Sequence, residues 1–269
     1  MSQEKDMSFL DHLEELRWHI IRSSLAITSL ALISFIFKRL LFDTIILGPT
    51  KPNFLTYDIL CKASSLINLN SFCNTIFEFE IQSRTMAGQF SAHIWTSITF
   101  GFVLGFPYVI YEFWKFISPG LYSKEKKYSK GFIIVSSILF FIGVLFGYYV
   151  VCPLSINFLG NYSVSTQVHN DFDLNSYIGL VRSSVIASGL IFELPIIIFY
   201  LTKIGLVNPE FLKRNRKYAL VIVLIIAAII TPPDVASQII VAVPVVILYQ
   251  VSIFTVSYTH LTLPTLLLV

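Results

Sequence analysis

The sequence predicts an all-α, polytopic integral membrane protein. Of its 269 residues, 55% are hydrophobic and only 13% are charged, where a soluble domain carries about 25% charge. The apolar residues are gathered into long windows almost free of charge, the pattern of membrane-spanning helices. The opening residues, MSQEKDM, are polar and mixed in charge, and no small-residue cleavage site follows the first apolar run. They therefore do not read as a secretory signal.

The first element is SFLDHLEELRWHIIR, Ser8 to Arg22. Ser8 with Asp11 reads as a capping box, so a helix is expected to start here. Phe9, Leu13, Leu16 and Ile20 fall on one helical stripe, and Glu14 and Glu15 lie off it. Asp11, Glu14 and Glu15 alternate with His12, Arg17 and His19. Two readings stand. The segment is a solvated first turn leading into a span, or an acidic helix at a membrane face, placed to receive a cationic partner.

Six spans follow. The first is expected over His19–Phe42, interrupted by Lys38-Arg39, which can snorkel to the interface. Asp43–Ser91 reads as a long polar segment, opened by the turn signals Gly48-Pro49 and Lys51-Pro52. The second span, Ala92 to about Trp114, holds Gly101, Gly105 and Pro107, which predicts a kink at the proline. After a polar loop, Lys115–Lys130, the third span is uncharged from Gly131 until Pro153 stops it. Leu154–Asn175 is a second polar loop without Lys or Arg. The fourth span, Ser176–Thr202, has Arg182 near its start and Glu193 near its middle. Gly205–Lys217 is a basic loop.

The last two spans are expected to be short. Tyr218–Thr231 covers about 21 Å at ~1.5 Å per residue, against a hydrocarbon thickness of about 30 Å. Either its flanking residues snorkel or the bilayer thins locally. Pro232-Pro233-Asp234 turns the chain, and the sixth span runs from Ala236 to about Phe254. The tail Val256–Val269, VSYTHLTLPTLLLV, resembles translated adapter read-through and is expected to be non-native. The expected organisation is a single six-helix membrane domain over residues 1–255.

Most of the Lys and Arg, including Lys124, Lys126, Lys127, Lys213, Arg214 and Arg216, fall in segments on the same side as the N-terminus. The positive-inside rule then places both ends in the cytoplasm. Cys61 and Cys73 share the first outer segment. They form a disulfide in an oxidising compartment, or remain two free thiols. Cys152 has no evident partner. No CxxC, HExxH, GxSxG, Walker or GxGxxG pattern is present, and the five histidines lack metal-ligand spacing. Nothing therefore points to a cofactor, a metal, a nucleic-acid partner or familiar catalytic machinery.

Five short motifs recur in order: HLEELRWHI, FPYVIYEFWKFISPGLYSKEKK, GYYVVCPL, SGLIFELPI and TPPDVASQIIVAVP. Together they closely resemble the TatC family, the core subunit of the twin-arginine protein translocase, over about Ser8 to Phe254. The resemblance implies six helices in a concave, glove-like bundle in the cytoplasmic (inner) membrane. It implies a receptor for twin-arginine signal peptides that works with TatA/TatB-type single-span subunits and membrane lipids. It also implies a homo-oligomer within the translocase and transport of folded cargo driven by the proton-motive force.

Carried over residue by residue, the signal-peptide contacts fall on Glu15 and Glu125. Two carboxylates accept the planar guanidinium fork bidentately, which Lys cannot reproduce. Glu14, Leu16 and Arg17 support that site. Glu193 and Gln238 match positions that face the partner subunits within the membrane. A carboxyl at mid-span costs at least ~2.5 kcal/mol on insertion scales, so Glu193 is expected to face protein or a polar cavity. Pro232, Pro233 and Asp234 match the turn before the sixth helix, with Asp234 as its cap. Pro49, Phe116, Pro119 and Tyr148 match scaffold positions. Two departures are His19, where relatives often carry Arg or Lys, and Gln250, where many carry Glu. Two rival readings use the same residues. A small proton-coupled secondary transporter would relay protons through Glu193 and show an inverted repeat. An intramembrane hydrolase would need opposed catalytic groups.

Overall fold

In the computed structural model, residues 9–65, 79–117, 129–165, 167–168, 170–203, 207–230 and 235–262 are described. Helix α1 (Phe9–Ile36) runs unbroken from the acidic opening into the first apolar run. A π-helical turn at Leu40–Ile46 and a 3₁₀ turn at Gly48–Thr50 lead into α2 (Leu55–Ser65). The segment read as long and polar, with only weak amphipathic pieces, therefore holds a helix of its own. Strand β1 (Ile81–Gln82) follows, then α3 (Gly88–Ile117), which continues past Pro107.

Helix α4 (Ser129–Phe146) passes through a π-helical turn, Gly147–Val151, into α5 (Cys152–Asn161). Pro153 does not stop the span, as the sequence suggested. It sits in the first turn of α5, where a missing N–H is tolerated. Strand β2 (Phe172–Asp173) pairs in parallel with β1, Ile81 opposite Phe172. Helices α6 (Leu174–Phe192) and α7 (Leu194–Lys203) are separated at Glu193. Helices α8 (Pro209–Arg214), α9 (Arg216–Ile230) and α10 (Val235–Thr262) follow.

Four stretches among the described residues are long and apolar enough to cross a membrane: His12–Ile36, Gly88–Ile117, Gly131–Asn161 and Leu174–Thr202. Gln238–Phe254 is a shorter apolar helix. Helix α9 has 15 residues, short as expected, but α10 extends over 28, beyond the point where its span was expected to fade.

Packing divides the chain into two units, Met1–Leu41 with Phe90–Ile138, and Phe42–Gln89 with Leu139–Val269. In the first, α1 and α3 run antiparallel. At one end the Phe35 and His93 rings stack at 3.8 Å, and His93 Nε2 donates to Phe35 O at 3.0 Å. Further along, Gly101 lets the backbones meet: a Cβ there would lie 2.6 Å from Ile27 O and 2.7 Å from Ala31 N.

The second unit has a core of Val151, Val223, Ala227, Val241, Ala242 and Val245, flanked by Phe146, Ile191 and Leu194. The irregular turns after α1 carry carbonyls that no regular helix satisfies, and buried hydroxyls supply the donors. Tyr57 donates to Pro49 O at 2.8 Å and to Pro153 O at 3.3 Å. Tyr148 and Tyr177 donate to Ile45 O and Ile46 O, each at 2.6 Å. Thr56 donates to Tyr149 O. Burial pushes the Tyr57 hydroxyl far above its ordinary range, so it remains a donor at any working pH. Cys152 is a buried free thiol and Cys61 is disulfide-bonded; Cys73, its expected partner, lies outside the described residues.

Candidate functional site

Two helical stripes face each other in the first unit. On α1, His12, Glu15, His19 and Arg22 are spaced three or four apart and so share one face. On α3, Tyr108, Glu112 and Phe116 do the same. His12 stacks on Phe116 with ring centroids 4.4 Å apart, and His19 meets the same ring edge-on at 6.2 Å. His19 Nδ1 donates to Glu112 Oε2 at 2.5 Å, and Arg22 Nη1 lies 3.9 Å from that oxygen. Tyr108 also hydrogen-bonds Glu112. Glu112 is only 2% exposed, and these donors replace the water it has lost.

Glu15 sits on this stripe between His12 and His19. It is half-buried, and its Oε2 is enclosed without a hydrogen-bond partner among the described residues. Glu14 points to the exposed side, where Oε1 accepts from Arg17 Nη2 at 3.2 Å. That pair is open to water and contributes under about 1 kcal/mol. Arg17 also lies 5.8 Å from the Trp18 ring. Leu16 is half-buried. Glu125, the second expected guanidinium acceptor, lies outside the described residues.

Sequence reasoning singled out Glu15, Glu14 and Arg17 but missed Glu112. Its signal was available: a carboxylate within an apolar helix, in YEFWK, is a functional candidate by default. What the sequence did not reveal was the partner, His19, 93 positions away.

The remaining expected site residues belong to the second unit. Glu193 lies between α6 and α7 and is 6% exposed. Its N–H still bonds Leu190 O, while the N–H groups of Ile196 and Ile197 both bond its carbonyl. Pro195 lacks an N–H, so the break falls where the helical ladder must be interrupted. Gln238 Nε2 donates to Leu224 O at 3.1 Å, tying α10 to α9 within the chain. Pro232, Pro233 and Asp234 lie outside the described residues, and α10 begins at the next position. Gln250 lines a cavity of about 140 Å³ with Arg216, Val223, Val246 and Tyr249. Among the described residues no three His, Cys, Asp or Glu side chains gather as metal ligands would.

Residues 11–244 match the family described as Sec-independent protein translocase protein (TatC). The chain is 43% identical to the Sec-independent protein translocase protein TatC of Blattabacterium sp. subsp. Periplaneta americana (strain BPLAN), over 96% of this chain and 97% of that one. It is 32% identical to the protein of the same name from Aquifex aeolicus (strain VF5), over 92% and 94% of the two chains. Among solved structures it resembles a crystal structure of the twin arginine translocase receptor TatC in DDM. That similarity has a TM-score of 0.69 and 34% identity, covering 91% of this chain and 99% of that one.

Proposed function

Because the chain belongs to the TatC family of Sec-independent protein translocase proteins, we propose that it is the signal-peptide receptor of a twin-arginine translocase. The family makes it a multi-pass inner-membrane translocase component with partner Tat subunits, not an enzyme. The receptor reading rests above all on Glu15, a half-buried residue whose enclosed Oε2 has no hydrogen-bond partner among the described residues. A guanidinium presents parallel donors to such a carboxylate, and a charge-assisted pair there is stronger than one in open water.

In this reading both termini are cytoplasmic, and Glu15 and Glu125 accept the two arginines of the leader. Glu14 and Arg17 fix the local charge, and Leu16 borders the peptide's apolar segment. TatA/TatB-type subunits engage the chain in the membrane near Glu193 and Gln238. Several copies assemble in one translocase, and the proton-motive force drives export of folded cargo.

Complementation of a translocase-deficient strain tests this. The unaltered chain is expected to restore export of a folded reporter with an Arg-Arg leader. Glu15→Ala and Glu125→Ala are expected to abolish it at unchanged membrane abundance. Export that persists in both variants would refute the receptor reading.

A further inference from the structure

We infer that Glu112 is a positioning residue of the guanidinium-reading stripe, holding the start of α1 through His19 so that Glu15 is aimed at the incoming arginine. This rests on the receptor reading above. Glu112 Oε2 accepts from His19 Nδ1 at 2.5 Å, with the two side chains 3% and 14% exposed. Arg22 Nη1 stands 3.9 Å from the same oxygen, and Tyr108 bonds the carboxylate from one turn earlier on α3. So enclosed and so engaged, Glu112 leaves no room for a cargo side chain. It acts through α1.

His19 lies four residues after Glu15, one helical turn along the same face. Pinning His19 therefore sets the rotation of α1 at Glu15. Phe116 braces the stripe through His12 and His19. Among the described residues, the charged and titratable groups that act on Glu112 besides His19 are Arg22 from α1, and Tyr108 and Lys115 from α3.

Rotation matters because bidentate acceptance of a guanidinium depends on carboxylate orientation, whereas attraction to a Lys ammonium is that of a point charge. Loosening Glu112 thus weakens an Arg-Arg leader more than a Lys-Lys leader. A role confined to stability would weaken both alike.

The test measures affinity of the purified full-length protein for a synthetic leader peptide carrying Arg-Arg, and for its Lys-Lys twin. The readout is the ratio of the two affinities. In Glu112→Gln and in His19→Gln the ratio is expected to fall about tenfold, with no further fall in the double variant, because both act on one contact. In Glu15→Gln the ratio is expected to collapse, and adding Glu112→Gln is expected to leave it there. If Glu112→Gln does not yield folded protein, His19→Gln opens the same contact from the other side. An unchanged ratio in these two variants, with the collapse in Glu15→Gln, overturns the positioning role and leaves the receptor reading intact. A ratio unmoved by Glu15→Gln overturns the receptor reading and this inference with it.

Discussion

Replacing Gly101 with Ala probes how closely α1 and α3 must approach for the site to form. The added Cβ would lie 2.6 Å from Ile27 O, 2.7 Å from Ala31 N and 2.8 Å from Ala31 Cβ. None of these atoms can rotate aside. In a close-packed interior the helices must separate, by roughly 0.6–0.8 Å if ordinary contact begins near ~3.4 Å. Overpacking of this kind costs about 1–3 kcal/mol, partly offset by about 1 kcal/mol of helix propensity. Thermal unfolding in detergent measures the balance, at about 2–4 °C per kcal/mol for a chain of this size. Two controls share the propensity gain without the clash. A Cβ at Gly105 would meet Leu30 Cδ1 at 3.4 Å, the end of a flexible side chain, and one at Gly131 nothing within 4 Å. Gly101→Ala is expected to unfold at a lower temperature than either control, and to bind an Arg-Arg leader more weakly. Equal midpoints for all three variants would refute the close-approach argument.

Three further outcomes are expected. Tyr57→Phe removes the donor to Pro49 O and the second donor to Pro153 O and should cost about 1–3 kcal/mol, chiefly the penalty for leaving the buried Pro49 carbonyl without its donor; denaturant unfolding measures it. Asp173 accepts backbone N–H groups from Arg84 and Asn175, at 3.3 Å and 2.9 Å, and these bonds hold its carboxyl below the usual carboxylate range. Its contribution is therefore complete above the ordinary Asp value and is lost as pH falls through the lowered one. Protection of the Asn175 amide against exchange should fall as pH drops through that lowered value, and Asp173→Asn should remove that pH dependence. Glu193→Gln keeps the side-chain shape between α6 and α7, so membrane abundance is expected to hold while export falls. Matching losses of abundance and export would assign Glu193 to stability instead.

The membrane helices were legible because a span is written in one continuous apolar run, and the run in Gly131–Asn161 needs no partner to be recognised. Pro153 misled because the same residue that stops a helix is welcome in the first turn of the next, and the intervening π turn has no sequence signature. Helix α2 was hidden in a segment whose mixed composition supports neither period strongly. Its reason to fold is tertiary: Tyr57 and Thr56 reach carbonyls of Pro49, Pro153 and Tyr149. The site divides in the same way. Glu15 was visible through local spacing and a family motif. Glu112 and His19 became a pair only when α1 and α3 were set antiparallel.

Site-specific photocrosslinking tests the central claim most directly. A photoreactive residue in place of Trp18, exposed and three positions from Glu15 on the same face, should capture an Arg-Arg leader peptide. Its Lys-Lys twin should give little adduct, and Glu15→Gln should remove the difference. Equal capture of both peptides by the unaltered site would contradict the account.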